Sequence, residues 1–331
     1  MGRYELLERL AEGGMAEVFL ARATGSAGFG RKVIIKQLLR DLEDDPAYQR
    51  MILDEARVAS HLQHENIAQV YDVGWNGDRL YIAMEFVDGV SVQTMLREAS
   101  HRNARVPIEH TIAIVMGVAA GLHHAHRRRD EDGVRLDIVH RDVSLDNIIV
   151  TREGCPKLID FGVAKFARRE SRTPTGTLKG KLAYMSPEQV AFGRVDARSD
   201  VWSLGVVLYE MSTGRRLFRG RDDLHAMRLV IEQPIQPPSE LVADYPRALE
   251  EIVMSALQRD SELRPQSARA LHEALMELAY EYDLRLSRYG LADYVHRMVV
   301  AEEVAPIGRQ TCELNALADD AIASLRLPTA G

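Results

Sequence analysis

The chain has 331 residues, 46% hydrophobic, 27% charged and 6% aromatic, a composition that suits a globular protein long enough for two lobes with separate cores. A net charge of -7 argues against a dedicated nucleic-acid binder. Two cysteines, Cys155 and Cys312, make neither a disulfide framework nor a zinc cluster, so a reducing, cytoplasmic setting is expected. The longest apolar runs fall short of the about 18 residues that a membrane helix needs. The start, MGRYEL, is not a signal peptide, and Leu6 stands where a myristoylation pattern wants Ser or Thr.

Residues 4 to 37 read as strands: Tyr4 to Leu10, Val18 to Ala21 and Val33 to Ile35 are apolar, partly β-branched and separated by Gly-containing turns. The first turn, Ala11-Glu12-Gly13-Gly14-Met15-Ala16-Glu17-Val18, can lay backbone N–H groups over a phosphate, because glycine has no Cβ to keep the ligand away. Many hairpins contain Gly-Gly. What lifts this one above an ordinary hairpin is Lys36, which ends the third strand in VIIK. A helix is expected from about Asp45 to Leu62, with Ile52, Ala56, Ala59 and Leu62 at helical spacing. Glu55, at the edge of that stripe, is placed for an ion pair from helix to strand with Lys36. Two further strands follow, Ala68 to Val73 and Leu80 to Phe86, and Val87-Asp88-Gly89 reads as a hinge.

Beyond the hinge the pattern turns helical. Ile108 to Arg128 is long and apolar on one face. Its three histidines, His123, His124 and His126, have no carboxylate or cysteine at ligand spacing and are expected to pack or face solvent. Arg127 to Asp137 is a charged loop whose basic and acidic residues cancel. Ile138 to Val150, IVHRDVSLDNIIV, reads as a turn between two short buried strands. Asp142 there can accept a hydroxyl proton, and Asn147, five residues on, can hold a metal from the other side. A short strand Lys157-Leu158-Ile159 leads to Asp160-Phe161-Gly162. A polar loop with four hydroxyls, Ser171, Thr173, Thr175 and Thr177, precedes Ser186-Pro187-Glu188. A buried helix starts at Asp200, and further helices are expected over 221–231, 246–257, 267–282 and Leu291 to Val300.

Together these residues resemble a bacterial eukaryotic-type (Hanks-type) serine/threonine protein kinase over about residues 4 to 280. The catalytic-loop pattern, VIIK, Glu55, Asp160-Phe-Gly, Ser-Pro-Glu188, Asp200 and Arg264 occur in the family's order. The resemblance implies an α+β fold of two lobes. The N-lobe (1–87) would be a small antiparallel sheet with one helix that binds nucleotide. The C-lobe (88–282) would be larger, mainly helical, catalytic and peptide-binding. A C-terminal extension (283–331) would be partly helical, then loose.

It also implies transfer of the ATP γ-phosphoryl to protein Ser or Thr hydroxyls, with magnesium, or manganese in its place. Lys36 would hold the α- and β-phosphates and pair with Glu55. Asp160 and Asn147 would hold the metal ions, and Asp142 would accept or orient the substrate hydroxyl. Ala11, Gly13 and Gly14 would cover the phosphates. Val18 and Ile34 would roof the adenine and Ile149 would floor it, with Met84 as gatekeeper and the Glu85 to Val87 backbone on its edge. Glu188 and Arg264 would form a buried ion pair. Autophosphorylation is expected between Ser171 and Thr177, foremost at Thr173 or Thr175, with Arg141 and Lys165 converging on the phosphate. The implied partners are protein substrates and ATP, with a homodimer as a route to autophosphorylation. No nucleic acid and no membrane segment in this chain is expected.

Some positions depart from the family pattern. Ala11 and Ala16 replace two loop glycines, and Ile34 replaces the Ala of V-A-I-K. The family's Ser/Thr members carry a Lys two residues after the catalytic Asp and a Thr one residue after the Gly that opens the docking segment. Here these are Ser144 and Lys181. The expected compensation is an exchange, with Lys181 supplying the cation beside Asp142 and Ser144 the hydroxyl. Against the active enzyme stand two alternatives, a pseudokinase scaffold and a small-molecule phosphotransferase of the same fold. The full motif set disfavours the first, and the Ser/Thr-rich loop with Ser-Pro-Glu188 and Arg264 disfavours the second.

Overall fold

The computed structural model describes residues 2–13, 16–24, 30–42, 45, 49–50, 53, 56–57, 59–161 and 181–299. The first sheet is antiparallel throughout. Its strands are β1 (Tyr4–Glu12), β2 (Ala16–Thr24), β3 (Gly30–Leu38), β4 (Val70–Asn76) and β5 (Arg79–Glu85), in the order β1-β2-β3-β5-β4. The first three run longer than their apolar cores suggested, because the ladder carries polar edge residues along with it: Thr24 pairs with Gly30 and Glu12 with Glu17.

Alternation divides the side chains between two faces. Val33, Ile35, Tyr81 and Ala83 join Tyr4 and Ala21 in an outer cluster. Leu38, Leu80 and Ile82 pack with Ala56 on the inner face, with Met84 and Val70 partly buried against them. The described residues at 49–50, 53, 56–57 and 59–60 are helical, as the periodicity predicted. Ile34 and Lys36 therefore point to the same side of β3 as Leu38, toward the cleft.

A second sheet is small: β6 (Gly89–Ser91), β7 (Ile148–Thr151) and β8 (Pro156–Leu158), with β7 central. Gly89 lies so close to the Val150 carbonyl and Thr151 Cα that any Cβ would collide with them. The hinge glycine is thus required by close backbone approach.

The remainder is helical: α1 (Val92–His101), α2 (Ile108–His126), α3 (Pro187–Val190), α4 (Ala197–Thr213), α5 (Asp223–Glu232), α6 (Arg247–Ala256), α7 (Ala268–Glu281) and α8 (Arg288–Val299). α4 sits at the centre. From Ser199 to Thr213 every residue is buried, and Trp202, Leu204, Val206, Val207 and Leu208 join one large core with α2, α6 and α7. Asp196 caps its start through Arg198 N, and Gly214 ends it at φ 69°.

The structure corrects one expectation. Ile138 and Val139 are buried, at 4% and 8% exposure, but belong to no strand. The amides that follow, of His140 and Arg141, are taken by the Asp200 carboxylate instead of a ladder partner, each at 2.8 Å. The charged Arg127–Asp137 loop is a tight hairpin. Arg129 and Arg135 bridge, and Asp130 Oδ1 accepts from Val134 N at 2.8 Å.

Helix α8, in the expected extension, is seated in the main core through Leu291, Tyr294, Val295 and Met298. The turn between β7 and β8 rests on it. Arg288 Nε donates to Glu153 O at 3.0 Å, and a Cβ on Gly154 would run into Arg288 O. Residues 300–331 lie outside the described residues.

Candidate active site

The site lies between the two sheets, where β3 faces the chain from His140 to Phe161. Asp200 organises the catalytic loop from below. It is fully buried, and His126 Nε2 is 2.7 Å from its Oδ2, the oxygen that also accepts from His140 N. Burial pushes its carboxyl up, but the bond to His126, the nearby His140 ring and the His140 amide outweigh that, so the group is held below the ordinary carboxylate range. An ionised Asp200 can hold Arg141 at φ 65°, a left-handed backbone that costs a residue with a Cβ about 1–3 kcal/mol.

Asp142 is 9% exposed. Its amide donates to His140 Nδ1 at 3.2 Å, so the His140 proton sits on Nε2, which donates to Ile159 O at 3.1 Å. Asn147 Nδ2 donates to the Asp142 carbonyl at 2.7 Å and to its Oδ2 at 2.6 Å. The acid is thereby fixed at backbone and side chain. A cation approaching Asn147 would meet its Oδ1.

Ile159 N donates to Asn147 O at 2.9 Å, which ties the loop to Asp160. Asp160 is itself left-handed, φ 55°, and its Oδ1 is 3.5 Å from Lys36 Nζ. This contact joins the first sheet to the catalytic loop. Phe161 is turned inward against the His140 ring, with centroids 4.5 Å apart, in a cluster with Leu62, Ile67, Ala125 and Ile138.

Two carboxylates and an amide on oxygen-rich ground suit a hard divalent ion whose remaining ligands come from phosphate and water. Among the described residues no group of three or more His, Cys, Asp or Glu side chains is placed to hold a metal alone.

The register of the first sheet sets Val18 opposite Lys36 and Ile34 opposite Met84, so these four share the inner face. Ala11 pairs with Val18, and Gly13 N donates to Ala16 O at 2.9 Å. Ile149, at the middle of β7, is 5% exposed. Glu85 N donates to Gln69 O at 2.8 Å. Val87 is buried at 5%.

Gly14, Glu55, Lys165 and the hydroxyls of Ser171, Thr173, Thr175 and Thr177 lie outside the described residues. Lys181 opens a short 3-10 turn, Lys181–Tyr184, and its side chain lies outside them too. Ser144 is 1% exposed, and its Oγ makes no hydrogen bond to any described residue. The expected bond from this hydroxyl to Asp142 is not formed.

Glu188 and Arg264 meet as expected, in a two-pronged pair with both contacts at 2.7 Å. Ser199 Oγ adds a bond to Glu188 at 2.6 Å, and Arg264 also donates to the carbonyls of Gln258, Arg198 and Arg259.

Three supports went unseen in the sequence. Gln189 Nε2 donates to Arg141 O at 3.1 Å, joining the docking segment to the catalytic loop. Lys157 Nζ pairs with Glu85 at 3.1 Å, joining β8 to the hinge. His126 is the partner of Asp200. None of these pairs has a spacing that periodicity could reveal.

The sequence matches the model of the family described as "Protein kinase domain" over residues 4–276. The chain belongs to this family. It is 41% identical over 281 residues to the tyrosine-protein kinase MasK of Myxococcus xanthus, covering 85% of this chain and 44% of that protein. It is 37% identical to the serine/threonine-protein kinase PknB of Mycolicibacterium smegmatis, covering 83% of this chain and 43% of the relative. The chain thus spans less than half the length of these relatives. Among solved structures, the PknI kinase domain of Mycobacterium tuberculosis superposes with a TM-score of 0.62 at 27% identity, covering 83% of this chain and 95% of the other. The kinase fold, with its antiparallel-sheet N-lobe and helical C-lobe, is the fold of this protein.

Proposed function

We propose that this chain is an ATP-dependent serine/threonine protein kinase. The observation that carries the reading is the joint placement of Lys36 against Asp160 and of Asn147 against Asp142. Phosphoryl transfer needs positioning and positive charge more than covalent help, because the transferring group spreads negative charge over its oxygens. Lys36, reaching from β3, neutralises the α- and β-phosphates. Asp160 and Asn147 would hold Mg2+, or Mn2+ in its place, and the ion would supply positive charge to offset the phosphates. Asp142 accepts a hydrogen bond from the substrate hydroxyl and aims its oxygen. Val18, Ile34 and Met84 from above and Ile149 from below enclose the adenine, and the Glu85 carbonyl with the Val87 amide reads its edge.

The proposed division is 1–87 for nucleotide, 88–282 for catalysis and peptide, and 283–331 as an extension, of which α8 packs on the core. Transfer between two copies would modify Thr173 or Thr175. No helix among the described residues is long and apolar enough to cross a membrane. The scarcity of cysteine supports a cytoplasmic setting for this domain.

A second reading, tyrosine as acceptor, is favoured by two observations. The 41% identical relative is named a tyrosine kinase, and Ser144 and Lys181 replace the Lys and Thr of the Ser/Thr pattern. Acid hydrolysis of protein labelled with γ-phosphate-labelled ATP and Mg2+ decides between them. The proposal expects phosphoserine and phosphothreonine, lost when EDTA removes the metal. Phosphotyrosine alone would replace it with the second reading.

A further inference from the structure

A cavity of about 300 Å³ opens beside the catalytic loop, between α1 and the C-terminal end of α4. Leu145, three residues past Asp142, forms part of its wall. Its charge is one-sided. Arg97, Arg105, Arg215 and Arg216 line it against a single carboxylate, Glu210.

That carboxylate is already engaged. Glu210 is 1% exposed; it accepts from Tyr184 Oη at 2.7 Å, from Leu217 N at 3.0 Å and from Arg216 Nη1 at 3.2 Å. Arg216 also reaches Gln93 on α1 at 2.6 Å. The pair neutralises itself and ties the wall to Tyr184, in the turn that leads into Ser186-Pro187-Glu188. Arg97 is ion-paired outside the cavity, its Nε 3.4 Å from Glu98, so two arginines remain, Arg105 and Arg215. The stem of Arg105 lies over Gly214, beside Arg215, so no side chain at 214 intervenes. Among the described residues neither Arg105 nor Arg215 makes an ion pair.

We infer that this cavity is a specificity subsite for an anionic side chain of the protein substrate, a carboxylate or a phosphate. A guanidinium group takes either in a two-pronged, charge-assisted bond. The volume is at the small end of ligand pockets, about 300–1,000 Å³, which fits one side chain better than a whole ligand. Its position on a wall shared with Leu145 and, through Glu210, with Tyr184 places it where a peptide crossing the docking segment passes. The inference rests on the protein-kinase reading and names the substrate class of that same site.

The test compares peptides that carry glutamate, phosphoserine, alanine or lysine at each position flanking one acceptor serine. Wild type should favour the anionic peptides over alanine by about tenfold in kcat/KM at one flanking position, the gain of one charge-assisted contact. Arg105→Glu with Arg215→Glu should bring that ratio to one or reverse it, and Arg105→Lys with Arg215→Lys should retain most of it. Ratios taken within one preparation cancel any loss of folded enzyme.

Fluorescence anisotropy of the same peptides reads the cavity without turnover. Charge-dependent binding that the double reversal removes supports the subsite even if no peptide is phosphorylated, an outcome that would fall on the kinase reading alone. Glutamate gains with phosphoserine or phosphoserine alone would name the anion. Equal use and equal binding of anionic and alanine peptides, or a preference that survives the double reversal, would overturn the subsite.

Discussion

Lys36→Met is expected to lower phosphoryl transfer by about 10²- to 10³-fold, the loss seen when one preorganised group facing developing charge is removed. Lys36 is held on β3 between Val33 and Leu38, and its ammonium stands 3.5 Å from Asp160. Methionine keeps the apolar stem against the inner face of the sheet and loses the cation. The fold should survive, because the Lys36 side chain is 19% and that of Asp160 38% exposed, and a partly solvated pair contributes little to stability. Thermal unfolding of the variant should therefore overlay that of wild type while turnover collapses. Normal turnover in Lys36→Met would remove Lys36 from the mechanism.

Glu188→Ala should destabilise the chain by about 3–5 kcal/mol, since it leaves a buried guanidinium without its counter-charge. The Arg264 side chain is fully covered and that of Glu188 17% exposed. Three carbonyls still face Arg264, but none carries a full charge. At the scaling for a domain of this size the melting temperature should fall by about 10 °C.

The pH dependence carries the sign of the pair. Burial pushes the Glu188 carboxyl up; the bonds from Arg264 and Ser199 outweigh it and leave the group below its ordinary 4.5. A folded value below the unfolded one stabilises at pH above the unfolded value and is lost as pH falls through the folded one. Wild type should lose melting temperature as the pH drops below 4.5, and Glu188→Ala should show a shallower fall. A melting temperature within a degree or so of wild type would mean that the pair is not what holds the lower lobe.

Much of this site could be read from single motifs, because its chemistry is carried by residues in short, ordered runs. Asp142, Asn147 and Asp160 sit within one stretch of chain, and the structure brings Asp160 to Lys36 and Asn147 to Asp142. The inward direction of Ile34 and Lys36 was not legible in VIIK, an unbroken apolar run before the lysine; the family resemblance alone assigned their roles, and the register of the sheet sets their face. The supports were not legible. Asp200 holds amides about sixty positions earlier in the chain, Gln189 reaches Arg141, and Arg216 reaches Gln93. Such contacts depend on how the helices pack and leave no local pattern. The same blindness produced the misread strand at Ile138-Val139: an apolar pair beside a turn looks like a strand until a buried carboxylate claims the neighbouring amides. Spacing places the hydroxyl of Ser144 near Asp142, but it could not show that the buried Oγ makes no hydrogen bond to any described residue.

The account rests on Asp142 as the residue that meets the acceptor hydroxyl. Its most direct test is the transfer of label from γ-labelled ATP and Mg2+ onto protein by wild type and Asp142→Asn in parallel, with nucleotide binding measured on the same samples. Wild type should acquire label, and the variant should bind nucleotide with similar affinity but transfer at background. Equal labelling of the two proteins, or no labelling of wild type with nucleotide bound, would contradict it.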